Sequence, residues 1–194
     1  TPIRSSAASD VYKRQTYYSA TDKCDFSTDT TTYTPSANLS SPIDELYANG
    51  NSVNGYFCGG YDGSVKSIVD KLTYTTDTTA RTPSADMPVS RYAVAVIRNR
   101  ENGYIAGGYP GHSGGSTYIF KLSYSTDTTS RLGSDLPDRS GKQATVGTVT
   151  KGFFCGGEYN SKRNVDRIEY TNETVSRIPG ADMSTGMELS LIHI

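Results

Sequence analysis

The 194-residue sequence has no tryptophan and only two histidines. One of these, His193, lies at the extreme C-terminus, so a metal centre or relay built from several imidazoles is excluded. Three cysteines cannot all pair within one chain, and no CxxC or Cys/His spacing points to zinc. Nineteen basic residues against twenty acidic ones leave a net charge of -1, which argues against a phosphate-backbone partner. No apolar run approaches the length of a membrane-spanning helix, so membrane insertion is not expected. A basic segment leading into an apolar stretch and small residues is also missing, so no signal peptide is recognisable. Sustained helical periodicity is absent from every long window, which removes an α/β architecture.

What the sequence does hold is glycine (19) and tyrosine (15). Aromatics with turn formers are the mixture expected of short strands joined by tight turns. The two ends stand apart from the rest. Residues 5–15, SSAASDVYKRQ, and 189–194, LSLIHI, match letter for letter the in-frame translation of a transposase sequencing adaptor. Residues 1–15 and 189–194 are therefore set aside as adaptor-derived before the fold is considered.

Between them the chain repeats. GYFCGG from Gly55, GYIAGG from Gly103 and GFFCGG from Gly152 begin 48 and 49 residues apart. DKCDFSTDTT from Asp22, DKLTYTTDTT from Asp70, FKLSYSTDTT from Phe120 and DRIEYTNETV from Asp166 follow at 48, 50 and 46. A third set, TPSANL, TPSADM, LGSDLP and IPGADM, closes each unit. This period suits a four-stranded propeller blade and is too long for ankyrin, tetratricopeptide or leucine-rich units. Within one unit, SRYAVAVI from Ser90 reads as the first strand, GYIAGGY from Gly103 as the second, IFKLSYS from Ile119 as the third and SRLGS from Ser130 as the fourth. In the third, Phe120, Leu122 and Tyr124 share one face. The fourth is short and polar, as suits an outer edge. The aspartate of each TDTT turn reverses the chain.

An apolar second strand ending in a double glycine (Gly59–Gly60, Gly107–Gly108, Gly156–Gly157), then a tyrosine-bearing third strand (Tyr74, Tyr124, Tyr170, with Phe26 in the first copy) and an acidic turn, resembles the kelch motif of β-propellers. The resemblance covers residues 16–188. It departs from the family where kelch units place a fourth-strand tryptophan; the nearby column here holds Tyr33, Arg81, Arg131 and Arg177. The TDTT-rich, Trp-free style is similar to divergent kelch-like repeats of environmental microbial and phage proteins, some from tails or fibres. What the resemblance implies is an all-β propeller fragment of about half a ring. The expected units are a partial blade (16–39), two whole blades (42–87 and 90–137) and a nearly complete one with the start of the next (140–188). The absent blades of a parent chain are then its first expected partner.

Residues able to do chemistry are few. Cys58, Cys155 and Ala106 share one column, so reduced, buried, uncoordinated thiols are expected. Cys24 shares its column with Leu72, Leu122 and Ile168, which also predicts the core. Phe57, Tyr104 or Ile105, Phe153 or Phe154, Leu72, Leu122 and Ile168 are the expected core. Asp29, Asp77 and Asp127 recur as turn residues, and repetition argues for structure rather than catalysis. They lack the register of a calcium loop. The columns Arg81, Arg131, Arg177 and Asp22, Asp70, Asp166 predict cross-strand or cross-blade pairing.

The loops between second and third strands differ where the strands agree. They supply the candidate ligand-binding residues Tyr61, Asp62, Tyr109, His112, Tyr159 and Asn160. With no catalytic constellation and no cofactor implied, the expected role is non-enzymatic recognition or structure, binding a protein or glycan through these loops. The alternatives are a propeller enzyme whose active site lies in other blades, or an architectural segment of a phage fibre or cell-surface protein. An extracellular or virion-associated setting is favoured over the cytoplasm.

Overall fold

The computed structural model describes residues 17–111, 114–158 and 163–186. The adaptor-like segments, His112, Tyr159 and Asn160 lie outside these residues.

The described chain is all β. A hairpin of β1 (Asp22–Asp25) and β2 (Thr30–Tyr33) comes first. Three four-stranded antiparallel meanders follow: β3 (Tyr47–Gly50), β4 (Asn54–Cys58), β5 (Val69–Thr73) and β6 (Thr78–Arg81); β7 (Ala95–Arg98), β8 (Asn102–Ala106), β9 (Ile119–Ser123) and β10 (Thr128–Arg131); and β11 (Ala144–Gly147), β12 (Lys151–Cys155), β13 (Val165–Glu169) and β14 (Thr174–Arg177). Strands are paired in chain order within each sheet. The first strand is shorter than the alternation in SRYAVAVI suggests. Ala93 takes a positive φ (53°), which breaks the ladder before Ala95.

Local chemistry explains each reversal. At the first hairpin of each sheet a side-chain oxygen accepts from two backbone amides. Asn51 accepts from Val53 and Asn54, Asn99 from Glu101 and Asn102, and Thr148 from Thr150 and Lys151. At the hairpin between the third and fourth strands the acidic residue adopts the left-handed conformation: φ is 51° at Asp29, 48° at Asp77, 51° at Asp127 and 55° at Glu173. The flanking threonines of TDT bond each other across it, at 2.7 Å (Thr28–Thr30), 2.6 Å (Thr76–Thr78) and 2.7 Å (Thr126–Thr128).

The sheets stack face to face, with the core between them. One cluster joins Tyr56, Cys58 and Val69 of the first full sheet to Val94, Ile105, Phe120 and Leu122 of the second. The next joins Ala95, Tyr104, Ala106 and Ile119 to Phe154 and Ile168. Tyr124 stacks on Tyr56 and Tyr170 on Tyr104, both at 5.2 Å between centroids. Of the expected core, Tyr104, Ile105, Phe154, Leu122 and Ile168 are fully buried. Phe57 and Leu72 are only half-buried, and Tyr56 takes the inward place beside Phe57. Cys24, expected inside, is exposed, and Cys155 is half-buried while Cys58 is buried. The reason is shared. Phe57, Leu72 and Cys24 face back along the stack, toward the incomplete hairpin or past it, whereas Cys155 faces forward past the last described sheet.

Of the arginine column only Arg177 finds the expected cross-strand aspartate; Arg131 and Arg81 turn to acids a few residues on in their own unit, and Asp70 accepts from the Ser40 backbone and hydroxyl instead. Arg177 meets Asp166 across the strands at 2.6 Å and Asp138 at 2.8 Å, Arg131 meets Asp135 at 2.8 Å, and Arg81 meets Asp86.

Candidate functional site

Second strands run toward one end of the stack and stop at the double glycines. Gly59 and Gly60 have φ of 65° and 107°, Gly107 and Gly108 of 67° and 75°. A Cβ at Gly107 would lie 2.5 Å from the Ser140 carbonyl, and one at Gly59 would collide with that of Arg91. Those carbonyls accept from the second glycine: Gly60 donates to Arg91 and Gly108 to Ser140, each at 2.9 Å. Only glycine permits both the dihedral and this approach of the neighbouring unit.

The glycines turn the chain so that the next residue pairs with the start of the first strand. Tyr61 exchanges backbone bonds with Asp44 at 3.0 and 2.9 Å, and Tyr109 with Tyr92 at 3.2 and 2.9 Å. Neighbouring units are tied here through residues of positive φ: Ala93 donates to Glu45 at 3.5 Å and Lys142 to Ala93 at 2.8 Å. These ties set the lateral spacing of the face.

On it, Tyr17, Tyr61, Tyr92 and Tyr109 form a continuous row of half-buried rings. Centroids are 6.5 Å apart for Tyr17–Tyr61, 5.8 Å for Tyr61–Tyr92 and 5.4 Å for Tyr92–Tyr109. The structure thus brings the expected residues Tyr61 and Tyr109 together through Tyr92, with Asp62 beside Tyr61. Tyr92 went unnoticed in the sequence because its column holds Asp44 and Gly141. Tyr17 went unnoticed because it borders the set-aside end.

Charged groups of both signs flank the row. Lys142 pairs with Glu158 at 2.8 Å, and Lys66 with Asp62 at 2.9 Å. The Lys142 ammonium, with a hydrogen bond from Tyr109, holds the Glu158 carboxyl below its ordinary range. The Lys66 and Ser64 side chains do the same for Asp62. Burial pushes the Asp44 carboxyl up. Burial first, then Glu45, raises the Tyr92 phenol.

Beneath it lies Arg91, 2% exposed, where the repeat has Ile43 and Ser140. Its guanidinium stacks over Tyr118 (5.2 Å) and Phe120 (5.5 Å) and donates to the Gly107 carbonyl at 3.3 Å. It braces the first strand's approach to the double glycine rather than reaching the face.

The opposite end opens into a groove of about 890 Å³ between the first strands, lined by Asn49, Asn51, Arg98, Arg100 and Thr148 among others. Among the described residues no group of three or more His, Cys, Asp or Glu side chains is placed to hold a metal. No described helix is long and apolar enough to cross a membrane.

The chain matches no protein-family model and no curated protein. Its structure is similar to one described as the structure of YjhT, with a TM-score of 0.68 at 16% identity, over 87% of this chain. The fold is β-propeller-like. The likeness is distant and concerns the fold alone, and the chain spans 62% of YjhT's length.

Proposed function

We propose that the chain is a kelch-type propeller module that recognises a glycan through the face carrying Tyr17, Tyr61, Tyr92 and Tyr109, without turning it over. The observation that carries this reading is the row of rings itself. Four tyrosines from different loops lie in succession, tilted 76°, 54° and 32° to one another and half-exposed, each with an apolar face and a polar tip. Such a strip suits successive sugar rings, whose C–H faces pack on the aromatic planes. The neighbouring carboxylates of Asp62 and Glu158 accept hydroxyl hydrogen bonds, and Lys142 and Lys66 donate them. The kelch assignment is supported by the double-glycine and tyrosine columns together with the propeller-like fold.

A glycan array probed with the chain tests this, followed by titration of the best oligosaccharide. Tyr92→Ala, at the centre of the row, is expected to weaken binding about tenfold or more. Tyr33→Ala, on an outer strand away from the face, should leave it unchanged. Equal binding by wild type and Tyr92→Ala would refute the site. A protein ligand found instead would refute the glycan, and consumption of the oligosaccharide would put an enzyme in place of the recognition module.

A further inference from the structure

Two arginines of the middle unit answer to no demand of the repeat. Arg98 closes β7, and Arg100 lies two residues on, in the turn to β8. The equivalent columns hold Gly50 and Gly147 for the first and Ser52 and Val149 for the second, so the hairpin forms without either. Third-strand cations, by contrast, interlock successive units. Lys23, Lys71 and Lys121 pair with the turn acids Asp77, Asp127 and Glu173 at 2.7, 2.7 and 2.6 Å. Arg98 and Arg100 are exposed and make no ion pair among the described residues.

Both line the groove of about 890 Å³ at the end opposite the tyrosines. It crosses the first strands of three complete sheets, which pack side by side, β3 against β7 and β7 against β11. In a propeller that edge faces the central channel, so blades added at either end would wall the groove and not lie over it. Asn51 supplies further donors. Its Oδ1 accepts from the backbone amides of Val53 and Asn54 at 2.8 and 2.9 Å, which fixes the amide's orientation and leaves Nδ2 without a protein partner. Among the described residues no aspartate or glutamate lines the groove. Glu101 lines a smaller cleft beside it, together with Asn51 and Arg100.

We propose that this groove binds a small multivalent oxyanion, held by Arg98, Arg100 and Asn51. A guanidinium offers a fork of N–H donors that matches the oxygens of a carboxylate or phosphate. Two such forks beside an amide, with no acid in the groove to compete, favour a ligand with several anionic oxygens over a neutral one. The site is separate from the tyrosine face and does not depend on what that face binds.

Isothermal titration calorimetry of the 194-residue chain with pyrophosphate, and separately with citrate, at low ionic strength tests the proposal. At least one should bind, and added sodium chloride should weaken it, because the charges are exposed. Arg98→Gly and Arg100→Ser install the residues that the first unit carries at these places, so circular dichroism should match wild type. Each should weaken binding about tenfold. Arg98→Gln and Arg100→Gln keep a longer side chain and make the same test should a small residue disturb the turn. Lys23→Gln, which removes a cation from the first hairpin, and Tyr92→Ala, at the other end of the stack, should leave the affinity unchanged. Pyrophosphate bound without citrate would name a phosphate ligand, and citrate without pyrophosphate a carboxylate, either result supporting the groove. Binding of neither probe would overturn the proposal. So would wild-type affinity in the arginine variants, or an equal loss in Lys23→Gln.

Discussion

The middle sheet, β7–β10, and its two neighbours are built on one repeat pattern, yet equivalent residues differ widely in exposure. Ile97 is 8% exposed and its counterpart Val146 is 61% exposed. Ala106 is buried where Cys155 is half-buried, and Leu122 is buried where Leu72 is half-buried. Residue type does not account for this, since valine is as apolar as isoleucine and both leucines sit in the same strand register. The difference follows from stacking. Among the described residues, the middle sheet has a complete sheet on each side, whereas the third has one only behind it and the first has only a hairpin behind. Each unit therefore takes a large part of its stability from its neighbours, as in other stacked repeats.

The comparison can be broken most directly at the paired leucines. Leu122→Ala should cost about 3 kcal/mol, because a filled pocket at the interface of two complete sheets would be left empty. Leu72→Ala should cost about 1 kcal/mol, since that side chain already meets solvent. Equilibrium urea unfolding of both variants checks this. Equal losses would mean that the middle sheet gains nothing from having two full neighbours.

The cysteines sharpen the same contrast with an effect nearly as large. Burial pushes the Cys58 thiol up to about 12 and raises that of Cys155 as well, with the Asp70 and Asp166 carboxylates adding to each. Cys24 is exposed. Under native conditions at pH 8, Cys24 should react with a thiol reagent about a hundredfold faster than Cys58, with Cys155 between them. Mass spectrometry of quenched samples gives the order. Fast labelling of Cys58 in the folded chain would place it outside the interface.

The stacked architecture was legible in the sequence because its requirements fall on single columns. The double glycines, the third-strand tyrosines and the turn acids each serve a local geometry that no other residue fills as well. Burial at Phe57, Leu72 and Cys24 was not legible, because it depends on which sheet lies alongside and not on the residue's own strand. The candidate face was half legible. Tyr61 and Tyr109 follow the glycines, whereas Tyr92 joins the row from a column where tyrosine is the exception. The interlocking of units escaped too. The turn acids were visible as a column, but their lysine partners were not read with them: Lys23 and Asp77 are 54 residues apart, and only the stacking of one turn over the preceding strand brings them together.

That interlock yields the smallest predicted effect. Burial raises the Asp127 carboxyl, but the Lys71 ammonium and the Tyr56 hydroxyl more than offset it and leave it below its ordinary range. A carboxyl lowered on folding contributes stability that is fully present above its unfolded value, about 3.9, and lost as pH falls through the lower folded value. The group is partly exposed, so the contribution should stay under about 1 kcal/mol. Asparagine tolerates the left-handed conformation and removes the charge, so Asp127→Asn isolates the ionic part. At pH 7 this variant should be less stable than wild type by about 0.5–1 kcal/mol, and the gap should close as pH is lowered below 4. Asp29→Asn, with no cation opposite it within the described chain, should match wild type across the same range. Urea unfolding of the three proteins at pH 7, 5 and 3 makes the test. A gap that persists at pH 3 would mean that Asp127 acts through its backbone or its hydrogen bond from Tyr56. An equal gap for Asp29→Asn would mean that every turn acid is worth the same, with or without a neighbouring sheet to receive.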